Sequence, residues 1–234
     1  MKFSNKSILV TGASGNLGQA VASAFAEAGA KLALIDRHRE HLERAFGPET
    51  ADRRYLVADL LDQDQVHAAV ASARERFGRI DVLCNIAGGF RMGQAVHETS
   101  NDNWNFLFDL NARTLLHAVR AVVPQMIADG GGKIVSIAAY AAQKGSAKMG
   151  PYIASKDAVI RLTETMAAEL RDRNINVNCV LPTIIDTPEN RAAMPNADPT
   201  RWVAPRDLAS VVVFLASDAA RAIHGAALPV TGLS

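Results

Sequence analysis

The sequence has few of the features that mark secreted, membrane-spanning or metal-binding proteins. Only two of its 234 residues are cysteine, and Cys84 and Cys179 both lie in apolar segments, which favours buried free thiols over a disulfide. No apolar run reaches the about 20 residues that a membrane span requires, and the amino-terminal stretch is interrupted too early for a signal peptide. The six histidines show no HExxH or Cys/His ligand spacing, which argues against a metal site. We therefore expect a cytoplasmic protein without a resident metal.

A strong charge imbalance is also missing. The chain has 25 basic and 24 acidic side chains and a net charge of +1. It therefore lacks the electrostatic footprint of a protein that binds nucleic acid or an anionic membrane. A small-molecule substrate is the expected partner.

What is present is a regular alternation of strand-like and helical segments. The strand-like runs are nearly continuous in apolar residues, which indicates burial on both faces of a parallel sheet. No Pro/Gly/Ser-rich linker divides the chain. The pattern predicts an α/β fold with one doubly wound domain over residues 1–234, an about seven-stranded parallel sheet with helices on both faces, and ligands at the carboxyl ends of the strands. The predicted strands are 7–11, 31–35, 54–58, 80–84, 133–137, 175–181 and 227–230.

The first strand, turn and helix carry a glycine-rich segment. Glycines in this turn let the backbone approach a pyrophosphate, while the helix N-terminus offers free N–H groups and the positive end of its dipole. Their spacing is GxxGxxG rather than the better-known GxGxxG. The segment predicts a dinucleotide site formed by Gly12, Ser14, Gly15, Asn16, Leu17 and Gly18.

An acidic residue ends the second predicted strand. Asp36 follows the glycine turn by about twenty residues, where a carboxylate can accept hydrogen bonds from both hydroxyls of an adenosine ribose. It would also repel a 2′-phosphate, by about 1–4 kcal/mol per unit charge at about 4 Å. Arg37 and Arg39 weaken this argument, because a guanidinium beside the ribose can pair with that phosphate. NAD(H) is favoured as cofactor, and NADP(H) is left open.

Tyr152 and Lys156 suggest acid–base chemistry. If a helix begins at Tyr152, the two side chains lie on one face because they are four residues apart. A free phenol has a pKa near about 10, and a cation a few Å away favours the phenolate. Lys156 would then make Tyr152 a general acid/base. The same spacing also arises by chance on helices that carry a solvated aromatic and a solvated charge.

Taken together, these segments resemble the short-chain dehydrogenase/reductase family over essentially the whole chain. TGASGNLG stands where the family has TGxxxGxG, CNIAGG is similar to its NNAG segment, and YIASK matches its YxxxK. The resemblance implies that Asn111 is the active-site Asn that holds a proton-relaying water. It also implies a homodimer or homotetramer built through two long helices. Implied cofactor contacts, beyond the glycine turn and Asp36, are Arg37, Asp59, Leu60, Asn85, Ala87, Gly88, Tyr152, Lys156, Pro182, Ile184 and Thr187. Among them, Asp59 resembles the acid with which the family contacts the adenine.

The chain departs from the family at the substrate side. A serine that normally lies thirteen residues before the tyrosine and binds the substrate carbonyl is replaced here by Ala139. Ser136 is three residues away, so in an extended strand its side chain points to the opposite face. Tyr140 and Ser146 reach the site only if their loop folds back.

The missing serine leaves several functions open. Segments 83–90, 132–145 and 181–202 are similar to the dihydropteridine reductases of this family, which also lack the serine and reduce a quinonoid dihydropterin. Such a ring regains aromatic stabilisation on accepting hydride and needs only a proton donor. The alternatives are a 3-oxoacyl or other ketone/alcohol dehydrogenase with a substitute hydroxyl, and a non-catalytic NAD(H)-binding regulator. Substrate selection is expected in segments 89–102 and 184–202.

Overall fold

The computed structural model describes residues 1–234 and contains one seven-stranded parallel sheet. The strand order is β3-β2-β1-β4-β5-β6-β7, and every pairing is parallel. The predicted fold class is confirmed, and each predicted strand is found within two residues of its predicted ends. The strands are β1 (Ser7–Thr11), β2 (Lys31–Asp36), β3 (Arg53–Val57), β4 (Val82–Asn85), β5 (Gly132–Ile137), β6 (Ile175–Pro182) and β7 (Ala227–Val230).

Helices cover both faces of the sheet because neighbouring strand residues point to opposite sides. The helices are α1 (Asn16–Glu27), α2 (Arg39–Phe46), α3 (Gln63–Phe77), α4 (Asn101–Phe108), α5 (Thr114–Ala128), α6 (Gly150–Leu170), α7 (Pro188–Ala193) and α8 (Pro205–Leu215), with a π-helical turn at Asp109–Arg113 between α4 and α5. In β1, Leu9 packs into one apolar core with α3, α5 and α6, whereas Ile8 and Val10 pack into a second core with α1, α2 and α8.

The strand order reverses between β1 and β4, which creates a crevice at their carboxyl ends. The two loops that leave these strands are joined through Thr11, whose Oγ1 accepts hydrogen bonds from the backbone N–H groups of Ile86 (3.1 Å) and Ala87 (3.3 Å). These bonds hold the crevice in place at the carboxyl ends of β1 and β4, which is where ligands of open α/β sheets bind.

The remaining structural expectations concern membrane helices and thiols. None of the helices combines the length and the apolar character that crossing a bilayer requires. Cys84 and Cys179 are both free and fully buried. Burial raises the pKa of the Cys179 thiol to about 11, so this sulfur stays protonated and behaves as a small apolar group.

Candidate active site

The glycine turn brings the loops after β1 and β4 into direct contact. Gly12 has φ +61°, and a Cβ there would lie 2.9 Å from the Cα of Ala87. A side chain on Gly18 would overlap the carbonyl oxygen of Gly12. Helix α1 begins directly after Gly15, without a side-chain cap. The amides of its first turn are therefore free to bind an anion.

These elements form one wall of a cleft of about 440 Å³. Thirteen of the eighteen predicted cofactor residues line it: Gly12, Ser14, Gly15, Asn16, Leu17, Gly18, Asp36, Arg37, Asp59, Leu60, Ala87, Gly88 and Thr187. Five further lining residues are not indicated by the sequence motifs, and these are Ala58, Leu61, Ile86, Leu110 and Thr114. Four of these are apolar and cannot be told from core residues by pattern alone.

One end of the cleft holds the predicted ribose acid. The carboxylate of Asp36 accepts hydrogen bonds from the Ser14 hydroxyl (2.6 Å), the Ser14 backbone N–H (3.3 Å) and the Arg37 backbone N–H (2.8 Å). The Arg37 side chain turns to Asp59, with Nη2 3.3 Å from Oδ2. Arg39 is bound to Glu43 and a second glutamate outside the cleft. Both arginines that could receive a 2′-phosphate are therefore paired with acids.

Helix α6 begins at Gly150 and has Pro151 in its first turn, just before Tyr152. Lys156 is 5% exposed, and its Nζ donates a hydrogen bond to the Ile137 carbonyl over 2.9 Å. Burial lowers the pKa of Lys156 to about 8. The Tyr152 ring packs edge-on against Phe90, with 4.8 Å between centroids, and burial raises the pKa of Tyr152 to about 12.

These pKa values bear on the predicted acid–base pair. Lys156 is expected from the sequence to lower the pKa of Tyr152, but desolvation of the phenol dominates and raises that pKa. The Lys156 ammonium donates its hydrogen bond to the Ile137 carbonyl. The Phe90 ring makes an edge-on contact with the Tyr152 ring.

Gly88 connects the cleft to the buried lysine. Its backbone lines the cleft, and a Cβ at this position would lie 2.9 Å from both Lys156 Nζ and Asn111 Oδ1. Asn111 is 2% exposed. Its side chain bonds both backbone groups of Gly89, the residue after Gly88, by accepting from the N–H (2.9 Å) and donating to the carbonyl (3.1 Å). The Asn111 amide also donates to Ser155 Oγ over 3.0 Å. Helix α6, the π-helical turn and the loop after β4 are thus joined by one buried polar network.

Comparison with known proteins agrees with this geometry. A family model described as short chain dehydrogenase matches residues 6–198. The chain belongs to the short-chain dehydrogenase family. It is therefore an oxidoreductase of that family, as the sequence motifs predicted.

Relatives of this short-chain dehydrogenase act on different substrates according to their names. The D-threitol dehydrogenase of Mycolicibacterium smegmatis is 36% identical over 243 residues, which cover 99% of this chain and 93% of the relative. The 3-oxoacyl-[acyl-carrier-protein] reductase of Thermotoga maritima is 33% identical, with 99% and 98% covered. A crystal structure of NAD+-bound xylitol dehydrogenase superposes with a TM-score of 0.90 at 32% identity, with 99% and 100% covered.

Five predicted cofactor residues of this short-chain dehydrogenase do not line the cleft. Lys156 lies behind Gly88, and Tyr152 lies in the first turn of α6 with its ring against Phe90. Asn85 is 5% exposed and donates through Nδ2 to Ser136 Oγ over 3.1 Å inside the sheet. Pro182 ends β6 and is buried, and Ile184 is half-buried at the start of the following segment.

The place of the missing serine is buried in the structure. Ala139 is 3% exposed in extended backbone two residues after β5. Ser136 is fully buried and accepts the Asn85 hydrogen bond described above. Tyr140 is 43% exposed and Ser146 is also exposed. None of these three candidates therefore supplies a buried hydroxyl in place of the serine.

The segment after β6 crosses back over the cleft. Thr187 lines the cleft and caps α7 by accepting from the Asn190 N–H over 3.2 Å. In the first turn of α7, Glu189 Oε2 accepts a hydrogen bond from Asn16 Nδ2 over 2.8 Å. Helix α7 is thus tied to the N-terminus of α1 across the mouth of the cleft. Arg191 is held by Asp186 through two hydrogen bonds of 2.6 and 2.8 Å.

Proposed function

We propose that this protein is an NAD(H)-dependent oxidoreductase in which Tyr152 exchanges a proton with a small substrate beside the bound dinucleotide. The observation that carries the proposal is the position of Gly88. Its backbone lines the cleft, while the space beside its Cα is occupied by Lys156 Nζ and Asn111 Oδ1. Two of the three predicted catalytic residues, Lys156 and Asn111, therefore adjoin the predicted nucleotide site at one residue.

The residues of the cleft fit a dinucleotide. The uncapped N-terminus of α1 offers amides to a pyrophosphate, and the Gly12 and Gly18 positions admit no side chain. Asp36 presents a carboxylate for the ribose hydroxyls. When bound, the nicotinamide supplies or accepts the hydride.

The protein groups supply binding and proton transfer. Because burial raises the pKa of Tyr152 to about 12, the phenol is protonated at neutral pH, as a proton donor for reduction must be. Lys156, with its pKa lowered to about 8, is still mostly an ammonium at pH 7, so it can bind ribose oxygens and stabilise a phenolate as the proton leaves. Asn111 fixes the Gly89 backbone and, through Ser155, the start of α6.

The charges near Asp36 support NAD(H) over NADP(H). A 2′-phosphate would meet the Asp36 carboxylate, and the nearest guanidinium, that of Arg37, is already paired with Asp59. Binding NADPH would require this ion pair to break and would leave the Asp36 repulsion in place. NADH requires neither change.

The absence of a hydroxyl at Ala139 supports a substrate that does not need a second hydrogen-bond donor. Removing one such donor typically costs about 10²–10³ in rate for ordinary carbonyl chemistry. A quinonoid ring, such as that of a quinonoid dihydropterin, gains aromatic stabilisation on reduction and needs only the proton from Tyr152. We therefore favour this substrate class.

A second candidate is oxidation of an alcohol or reduction of a ketone with a substitute hydroxyl. The names of the relatives favour it, since they describe a polyol dehydrogenase and a 3-oxoacyl reductase. Tyr140 is the nearest candidate along the chain, although it is 43% exposed.

The test measures three activities of the enzyme. NADH oxidation is measured with a quinonoid dihydropterin as substrate and, separately, with a panel of ketones that includes 3-oxoacyl thioesters. NAD+ reduction is measured with polyols as substrates. Turnover of the pterin alone supports the first candidate, and turnover of ketones or polyols supports the second. Tight NADH binding without any turnover would instead indicate a non-catalytic NAD(H)-binding protein. Tyr152→Phe must abolish whichever activity is found, and an active Tyr152→Phe enzyme would exclude the proposed mechanism.

Ala139→Ser tests the role of the gap. The serine would restore a donor beside the substrate, so ketone turnover is expected to rise by at least about tenfold if its absence limits carbonyl chemistry. Ala141→Ser, a serine added in the same loop, is the control. Unchanged ketone turnover in Ala139→Ser would contradict our explanation of this position.

A further inference from the structure

A buried histidine contacts the adenosine end of the cleft from behind. His117 lies in α5 and is 9% exposed. Its Nδ1 is 2.9 Å from the carbonyl oxygen of Leu60, a residue that lines the cleft. Because a carbonyl oxygen only accepts hydrogen bonds, Nδ1 must carry the proton in this contact.

The loop that His117 contacts is also held by hydrogen bonds of its own. The Asp59 N–H donates to Gln65 Oε1 over 2.9 Å, and the Leu61 N–H donates to Asp59 Oδ1 over 3.0 Å. These two bonds are local, since their partners lie within six residues. His117 adds a contact from an element 57 residues along the chain, and from the opposite side the loop is bonded to the end of β2 through Arg37–Asp59 and the Ala58 N–H to the Asp36 carbonyl.

The same helix also contributes to the cleft directly. Thr114, one turn before His117 on α5, lines the cleft, and the His117 carbonyl accepts a hydrogen bond from Gln63 Nε2 at the start of α3 over 3.2 Å. The loop 58–62 therefore lies between α3 and α5, and the imidazole joins it to the helix that follows the π-helical turn carrying Asn111.

We infer that His117 is a positioning residue for the adenosine half of the dinucleotide. Its imidazole fixes the Leu60 carbonyl, and this fixes Asp59, which faces the cleft next to it. The inference rests on the proposed function, since it assigns how the adenine end of that same site is held. His117 acts through the loop and does not itself line the cleft.

Three variants separate the hydrogen bond from the bulk of the ring. The amide N–H introduced by His117→Asn occupies nearly the position of Nδ1–H and is expected to keep the bond. His117→Gln places its amide near the position of Nε2 instead and loses the bond, and His117→Phe keeps a ring without a donor. His67→Phe changes an exposed histidine of α3 and serves as the control.

The decisive measurement uses cofactor fluorescence to determine two dissociation constants. One is that of NADH, and the other is that of reduced nicotinamide hypoxanthine dinucleotide, which lacks the adenine amino group. His117→Gln and His117→Phe are expected to weaken NADH by about fivefold, the factor that corresponds to about 1 kcal/mol. They are expected to weaken the hypoxanthine analogue less, so that the preference for adenine falls. His117→Asn should restore both the affinity and the preference.

General damage to the protein would weaken both dinucleotides by the same factor and leave their ratio unchanged. That result, or wild-type binding in both His117→Gln and His117→Phe, would overturn the inference while leaving the proposed function intact. A wild-type protein that binds no NADH would instead overturn the proposed function. ADP-ribose, measured by calorimetry, should lose affinity in parallel with NADH, because it contains the adenosine half without the nicotinamide.

Discussion

Arg37 and Asp59 form an ion pair at the end of the cleft that holds Asp36, with Nη2 3.3 Å from Oδ2. The pair is half-exposed, so its own contribution to stability is small. Its importance is that it occupies the guanidinium nearest to Asp36, the acid that ends β2. From the sequence, Arg37 could be either a partner for a 2′-phosphate or a solvated charge. In the structure it is instead paired with Asp59.

Asp59→Asn is therefore expected to shift cofactor preference toward NADPH. The substitution frees Arg37 and removes one negative charge, and each effect favours the 2′-phosphate. The ratio of NADPH to NADH affinity should rise by about five- to tenfold, equivalent to about 1–1.4 kcal/mol. Using the ratio removes any effect on adenine binding, which both cofactors share. Asp64→Asn, an exposed acid of α3 outside the cleft, should leave the ratio unchanged.

The buried ammonium of Lys156 is expected to reduce stability at neutral pH. Burial lowers its pKa to about 8 in the folded protein, whereas an unfolded lysine titrates near about 10.4. The folded state therefore binds this proton less tightly than the unfolded state does. The cost is complete below about pH 8, falls as the pH rises toward about 10.4, and reaches about 3 kcal/mol at most.

Lys156→Met should consequently abolish activity and yet raise the free energy of unfolding at pH 7 by about 1–3 kcal/mol, with part of the gain offset by the lost bond to the Ile137 carbonyl. The gain should shrink between about pH 8 and 10.4. Denaturant unfolding of both proteins across this range measures it. Lys144→Met, in an exposed loop, should show no such pH dependence, and a constant difference for Lys156→Met would exclude a depressed pKa.

The contact between Asn16 and Glu189 joins α1 to α7 across the mouth of the cleft. Because these residues come from opposite ends of the chain, their bond should slow the opening of α7. Glu189→Ala is expected to raise the rate of NADH dissociation by about two- to tenfold, as the loss of one exposed charge-assisted hydrogen bond allows.

Stopped-flow displacement of NADH measures this rate. Glu189→Gln keeps an acceptor for Asn16 and should behave nearly as the wild type. In an Asn16→Ala background, Glu189→Ala should cause no increase, because the bond between the two residues is already missing. Additive effects of the two substitutions would show that the residues act separately.

The fold was predictable because its signals are local. The strands are buried on both faces, so the apolar runs marked them within two residues, and the glycine turn followed by an acid at the end of β2 indicated the order of the first elements. The wall of the cleft around Gly12 and Asp36 was predictable for the same reason. Both lie at the carboxyl ends of adjacent parallel strands, where the topology brings residues together.

The features that the sequence did not reveal depend on contacts between distant segments. The direction of the Asn85 side chain follows from the register of β4 on β5, which sets it opposite Ser136. The Lys156 ammonium is bound by the carbonyl of Ile137, 19 residues earlier, and a backbone partner leaves no mark in the sequence. Phe90 reaches Tyr152 from a segment without regular structure.

Gly88→Ala gives the most direct test of the contact between the cleft and the proposed acid–base pair. The added methyl would lie 2.9 Å from both Lys156 Nζ and Asn111 Oδ1, which is too close for either atom to remain in place. Gly88 does not have a positive φ, so alanine introduces no backbone strain and the effect reports on the displaced side chains.

Because a displacement of about 1 Å near the reacting groups can cost about 10²-fold in rate, kcat is expected to fall by about ten- to a hundredfold in Gly88→Ala. The free energy of unfolding should fall by no more than about 1–3 kcal/mol. Gly145→Ala is the matched control, since nothing lies within 4 Å of its Cβ position and its φ is not positive. A Gly88→Ala enzyme with wild-type kcat would mean that the positions of Lys156 and Asn111 do not limit the reaction, and the proposed acid–base pair would then have to be abandoned.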